Sequence, residues 1–267
     1  MRAGESARSR GIVRWRCLVV SCSVTAALVS GAAPASAQEV GVSLAVSGAR
    51  GTYDAVYHLS GLYLFAGVDV TGGPVRLWAS VPFIRSSSSV DTVDPVTGAT
   101  SSYQSTSTGM GDPLVRVDLR LVNDRAHSLQ FRAAAAVKPS LVDAASGRGT
   151  GETDVAVGGS VFKGFGRTSV FADALYWKYG DPDGIDFQDA VVYSVGFGRV
   201  IGTGRWASMV TLSGASRAMI GGDAPVQLNV AALLAAGRRQ SLAISGGVGL
   251  RGVTGGVSVS ASWRTTF

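Results

Sequence analysis

Along most of this chain apolar and polar residues alternate one for one. The last sixteen residues show it most plainly: Val253, Val257, Val259, Ala261, Trp263 and Phe267 share one parity. Thr254, Ser258, Ser260, Ser262, Arg264 and Thr266 share the other. Leu129, Phe131, Ala133, Ala135 and Val137 likewise oppose Gln130, Arg132 and Lys138, and Val115, Val117, Leu119 and Leu121 oppose Arg116, Asp118 and Arg120. A period of two puts successive side chains on opposite faces of a strand. Twelve such segments are predicted, beginning near Val40, Tyr57, Pro74, Asp112, His127, Glu152, Arg167, Phe187, Gly204, Pro225, Arg239 and Gly252.

The lengths of these segments select a membrane. Soluble strands usually run to about five or six residues, and the C-terminal segment is far longer. Yet the longest unbroken apolar run after residue 37 is Val230 to Ala236, seven residues, where a spanning helix needs roughly 18 or more. Inside a bilayer every backbone polar group must pair internally, so a chain of this kind crosses only as a closed barrel. The expected fold is all-β, a transmembrane antiparallel up-and-down barrel of about 12 strands occupying residues 38–267.

Joints between segments give its orientation. TGGP at 71–74, NDRA at 123–126, GFGR at 164–167, GTGR at 202–205 and AGRR at 236–239 supply the positive φ values of tight hairpins. The intervening joints are mostly longer: Ser86 to Gly109, Ser140 to Gly151, Tyr179 to Ile185 and Arg217 to Ala224; the last, around Gly252, is short. Tight turns on the periplasmic side and longer loops outside are the outer-membrane arrangement, and an even count puts both ends in the periplasm. Thirteen of the 23 residues from Ser86 to Thr108 are Ser or Thr, which predicts a surface loop with little to anchor it.

The first 37 residues change the reading of charge. Arg2, Arg8, Arg10, Arg14 and Arg16 precede an apolar stretch, and Ala35-Ser36-Ala37 offers a cleavage site, so residues 1–37 are expected to be a Sec signal cut after Ala37. Removing its five arginines and one glutamate from 24 basic and 18 acidic residues leaves 19 and 17. The basic excess therefore belongs mainly to the signal, and no case for nucleic-acid binding survives. Cys17 and Cys22 leave with it, so no thiol, disulfide or cysteine metal site is expected.

Assigning the polar parity to the lumen places Arg76, Arg116, Arg120, Arg132, Lys138 and Arg264 inside, with Asp118, Asp154 and Asp173. Six basic against three acidic groups predict a mildly electropositive interior, either selecting solutes or filling the barrel with Arg–Asp pairs. Tyr63, Phe65, Trp78, Phe171 and Trp177 share the interior. Trp206 and Phe267 are placed on the lipid face near the periplasmic interface, where aromatic rings favour the headgroup level.

From Leu77 onward the chain resembles a known family. GMGDPLVRVDLRL at 109–121, VKPS at 137–140, GRGTGETDVAVGGSVFKGFG at 147–166, SVFADALYWKYGDPDG at 169–184 and VVYSVGFG at 191–198 are similar, in this order, to strands of the putative MetA-pathway of phenol degradation family. SVPFI at 80–84 fits a related strand. The resemblance implies an outer-membrane barrel passing small hydrophobic or aromatic molecules. Longer channels of this general type carry an N-terminal plug, whereas here only Gln38 and Glu39 precede the alternation, leaving side chains and outer loops to restrict passage.

Candidate chemistry is sparse. His127 lies beside a tight turn. His58-Leu59-Ser60 resembles the His-x-Ser arrangement of outer-membrane phospholipase A, but such a pair needs a third group to orient the imidazole. Expected strand neighbours (Val46 and Gly48 on one side, Phe83 and Arg85 on the other) supply none, and Tyr57 stands where that motif has asparagine. Asp181, Asp183 and Asp186 form an acidic loop without the spacing of an EF-hand. No catalytic residue, metal site or cofactor is expected. The leading expectation is a passive channel for small molecules. The alternatives are a barrel whose outer loops bind a partner or stabilise the envelope, and a lipid-acting enzyme using His58 and Ser60. The expected partners are outer-membrane lipid, the barrel-assembly machinery through the C-terminal strand, and an unidentified solute.

Overall fold

The computed structural model describes residues 38–53, 57–93, 100–143, 146, 148–180, 188–216, 224–251 and 256–267, with side chains of 52–53, 57–58, 90–93 and 100–103 not among them. Thirteen strands follow one another: β1 (Glu39–Tyr53), β2 (Tyr57–Gly72), β3 (Val75–Val93), β4 (Thr100–Met110), β5 (Leu114–Asp124), β6 (Leu129–Lys138), β7 (Asp154–Phe165), β8 (Thr168–Lys178), β9 (Ala190–Ile201), β10 (Trp206–Ala215), β11 (Val226–Ala235), β12 (Gln240–Arg251) and β13 (Gly256–Thr266). Consecutive strands pair antiparallel except β4 and β5, which both pair with β3, and β13 returns to β1, from Gly41 opposite Thr266 to Gly51 opposite Gly256. The wall is a closed ring of twelve, because β4 and β5 are two halves of one wall strand. The short-turn half of β3 pairs with β5 over Val75–Ser80, and its upper half pairs with β4 from Phe83 to Val93. Between them Gly111, Asp112 and Pro113 oppose Val81 and Pro82, and Pro82 still accepts from Gly111 N at 2.8 Å. Proline has no N–H for a ladder, so a break is where it fits.

This corrects the expectation for 86–109. The segment is strand over 86–93 and 100–109, a hairpin that continues the wall above the ring. Above a bilayer both faces of a strand meet water, so a run of Ser and Thr carries no alternation to betray it. The predicted signal at 1–37, the acidic run 181–186 and the joint around Gly252 lie outside the described residues.

Tight turns fall where the sequence puts them. Gly73 (φ 55°), Gly166 (φ 63°) and Gly202 (φ 58°) occupy the left-handed region, which side chains with a Cβ rarely adopt. Outward positions are apolar and exposed, among them Leu44, Val46, Leu62, Leu64, Val157, Ile244, Val257 and Val259. A row of exposed aliphatic side chains circling a closed sheet is the lipid boundary of a transmembrane barrel. Trp206 opens β10 on this outward parity, and Phe267 ends the chain there, 68% exposed, its N–H donating to Val40 O at 2.9 Å.

Candidate functional site: the barrel lumen

The inward parity carries all nine charged residues expected inside, and their contacts divide them into groups. Near the short-turn end Arg264 on β13 reaches across β1 to Asp69 on β2, with Nε 3.0 Å from Oδ1 and Nη2 2.8 Å from Oδ2. It also lies 3.3 Å from Glu39, and Arg76 approaches Asp69 at 3.6 Å. The span exists because Gly41 lies between: a Cβ there would sit 2.5 Å from Asp69 Oδ1 and 2.8 Å from Arg264 Nη2. Asp69 is 2% exposed, and these cations are the charges that meet it among the described residues.

Midway, Arg116 on β5 donates to Asp118 (3.0 and 2.8 Å) and stretches over two strands to Asp173 on β8, Nη2 to Oδ2 2.7 Å. The inward residues it crosses are Ala134 and Ala136 on β6 and Ala156 and Gly158 on β7, aligned with Arg116 and Asp118 in the register. Small side chains there leave the room that the long guanidinium arm occupies. The same alanines pack with Leu175, and Trp177 and Leu114 rest against them.

At the loop end Lys138 meets Asp112 at 3.2 Å and the fully buried Asp154 at 2.9 Å, and donates to Thr150 Oγ1 at 2.7 Å. Asp112 also accepts from three backbone N–H groups, Leu141 (3.0 Å), Val142 (2.9 Å) and Thr150 (3.1 Å). One carboxylate thus gathers the segment between β6 and β7. Arg148 from that segment donates to Thr108 O on β4, and Ser107 Oγ donates to Ser146 O at 2.5 Å. A Cβ on Gly111 would meet Ile84, Pro82 and the Arg148 carbonyl, which places the segment against the inner face of the hairpin base. Its described residues lie against the inner face of that hairpin base at the mouth.

Asp69, Asp112 and Glu39 are the site residues that the sequence reading missed. They add three carboxylates to the three expected inside, so the cations of the inner wall are more nearly matched than the six-to-three reading implied. Asp69 shares the parity of Tyr63 and Phe65, which was a usable signal; Asp112 and Glu39 stand at segment ends, where parity is ambiguous. Among the described residues, no carboxylate pairs with Arg120 or Arg132. Arg120 donates to Gly73 O at 2.9 Å, and Arg132 to Gln130 Oε1 at 3.2 Å.

The inner wall also has apolar parts. Phe171, Ala207, Met209, Ala231 and Leu233 form a buried cluster with Phe162 and Ala243 against it, toward the short-turn end of β7, β8 and β10–β12. Tyr63 stacks on Phe65 with ring centres 6.3 Å apart, and Trp78 lies on the inward parity of β3. A Cβ on Gly196 would strike the Phe171 ring, so the ring lies flat across that glycine.

The other candidates fall away from chemistry. His127 Nδ1 is 2.6 Å from Asp124 Oδ2, and its backbone N–H donates to Asp124 Oδ1 at 3.1 Å, which makes it a turn residue. Ser60 sits on the outward parity with Leu62 and Leu64. The register corrects its expected neighbours: His58 stands opposite Thr52 and Ser89, and Ser60 opposite Arg50 and Ser87. None of these is an Asp, Glu or Asn that would orient an imidazole. Among the described residues no three His, Cys, Asp or Glu side chains gather as a metal site would require.

A closed ring with an aliphatic exterior and an ion-paired interior defines a transmembrane β-barrel. No family model and no curated protein matches the sequence. Solved structures do share the fold. The COG4313 outer membrane channel from Pseudomonas putida F1 superposes with a TM-score of 0.65 at 12% identity, covering 88% of this chain and 97% of that one. The KdgM porin superposes at 0.53 with 6% identity, covering 85% of this chain and 99% of that one.

Proposed function

We propose that the chain is a passive outer-membrane channel for small molecules. The observation that carries this reading is the lumen wall. Its charges are gathered against the inner wall in three separate clusters, around Asp69, Arg116 and Lys138. Eight strands enclose a space that side chains fill, and sixteen or more leave a wide aqueous pore. Twelve fall between, which suits narrow passage. The two barrels of similar fold are an outer membrane channel and a porin by name, which supports the same reading. Under it the short-turn end faces the periplasm, residues 1–37 direct export with cleavage after Ala37, and β13 with Phe267 engages the assembly machinery. The resemblance to the phenol-degradation family makes hydrophobic or aromatic compounds the first solutes to test.

Purified barrel in planar bilayers should give discrete conductance steps, and liposomes bearing it should swell in small but not large solutes. Absence of both would leave a barrel acting through its outer surface. Ser60→Ala should leave lipid hydrolysis at background; hydrolysis abolished by that change would establish the enzyme reading instead.

A further inference from the structure

Arg120 and Arg132 stand opposite one another in the β5–β6 register, and both project inward. A bulge follows at once, with Arg120 and Val122 opposing consecutive residues Arg132 and Phe131. Bulges re-aim side chains, and here the effect is to hold two guanidinium groups on one patch of wall. Like charges directly opposite on neighbouring strands destabilise a sheet. The other inward cations avoid that cost. Arg116, Arg264, Lys138 and Arg76 each lie within 4 Å of a carboxylate. Among the described residues, Arg120 and Arg132 meet neutral oxygens, from Gly73 and Gln130. Asp118, the carboxylate nearest in the register, is taken up by Arg116. Among the described residues, this pair is a local concentration of positive charge on the inner wall.

Its surroundings are equally specific. Gln130, which holds Arg132, faces Phe162 in the β6–β7 register, and Phe162 faces Phe171 in β7–β8. These two rings belong to the apolar cluster with Met209 and Leu233. Arg132 is a diagonal neighbour of Phe162, within reach of a long side chain. Two cations without counter-ions thus border an aromatic patch on one stretch of inner wall, toward the short-turn end.

We infer that this patch is a binding site for an organic anion: a carboxylate held by Arg120 and Arg132, with an aromatic body against Phe162 and Phe171. The geometry suits such a ligand on both counts. A planar guanidinium matches a carboxylate in a bidentate fork, and an apolar ring removes water from the phenylalanines. The inference rests on the channel reading for its meaning, since it names the class of solute that the lumen retains in passage. The binding itself is testable without conduction.

Benzoate is the probe, with benzyl alcohol and inorganic phosphate as comparisons, titrated calorimetrically into the detergent-solubilised barrel. Benzoate should bind, more weakly as salt rises, and more tightly than either comparison by at least about tenfold. Arg120→Gln with Arg132→Gln should weaken it by about a hundredfold, while Arg85→Gln on the outward parity should leave it unchanged. Arg132→Gln alone should also raise the thermal midpoint, because it relieves repulsion instead of breaking an ion pair. A lowered midpoint in a folded Arg132→Gln barrel would make the pair structural and overturn the site. Equal affinity for phosphate would overturn the aromatic part, and benzoate binding untouched by the double variant would overturn the whole. Should the double variant not assemble, Arg132→Gln and its partial rescue by Arg132→Lys carry the same test. Benzoate binding without bilayer conductance would refute the channel and keep the site; conductance without binding would do the reverse.

Discussion

Replacing Asp112 by alanine should release the segment between β6 and β7. Its carboxylate accepts from Leu141, Val142 and Thr150 and meets Lys138. Hydrogen bonds to an ionised group contribute roughly 1.5–3 kcal/mol each, and neutral ones about 1. Freed N–H groups reach water once the segment lifts, so each bond is given the neutral value, and Lys138 keeps Asp154 at 2.9 Å. Three backbone bonds at about 1 kcal/mol give about 3 kcal/mol, or roughly two orders of magnitude in the opening equilibrium. Asp112→Asn should be milder. Its carbonyl oxygen can replace Oδ1 for Leu141 and Val142, but its amide then faces the Thr150 N–H and Lys138. Arg148 lies in this segment, so trypsin cleavage between Arg148 and Gly149 reports opening. Where reclosing outpaces cleavage, the rate tracks the open population. Cleavage should accelerate about a hundredfold in Asp112→Ala and by less in Asp112→Asn, and single-channel conductance should rise in the same order. Cleavage of Asp112→Ala at the parental rate would show that Asp112 does not hold the segment.

Arginine at Val259, exposed on the outward parity, should cost roughly 2–4 kcal/mol in urea unfolding from lipid if it lies near the midplane, and arginine at the adjacent inward Ser258 less. Equal penalties would mean the alternation is not a lipid boundary. Gly41→Val should lower stability by about 1–3 kcal/mol, because its side chain enters the space between Asp69 and Arg264. A stability equal to the parent would show that this ion pair can be rerouted without loss. Deleting Ser87 to Ser107 should leave an assembled barrel with parental conductance, since the hairpin lies above the ring; a large rise would place a constriction in that segment.

What the sequence made legible is the part that lipid enforces. Alternation in β5, β6 and β13 announced their faces because one face must be apolar and the other need not be. It failed over 86–93 and 100–109, where the ladder runs through Ser and Thr on both parities and carries little contrast. Partner choice was hidden for another reason. Arg116 and Asp173 are separated by two intervening strands, and their contact depends on Ala134, Ala136, Ala156 and Gly158, residues whose contribution is the volume they leave empty. Asp69 was readable by parity and Asp112 was not, because it sits at a break.

The uneven height of the wall has a consequence for arrival. At about 3.3 Å per residue, the 19 residues of β3 extend roughly 60 Å and the 10 of β6 roughly 30 Å. With strands tilted by about 40°, the described wall at β2–β4 overtops that at β6 by roughly 20 Å. A molecule drifting in from outside therefore meets a hydroxyl-coated screen on one flank and a low sill on the other. Under the channel reading, approach from outside would then be directional, open over the low sill and screened on the other flank.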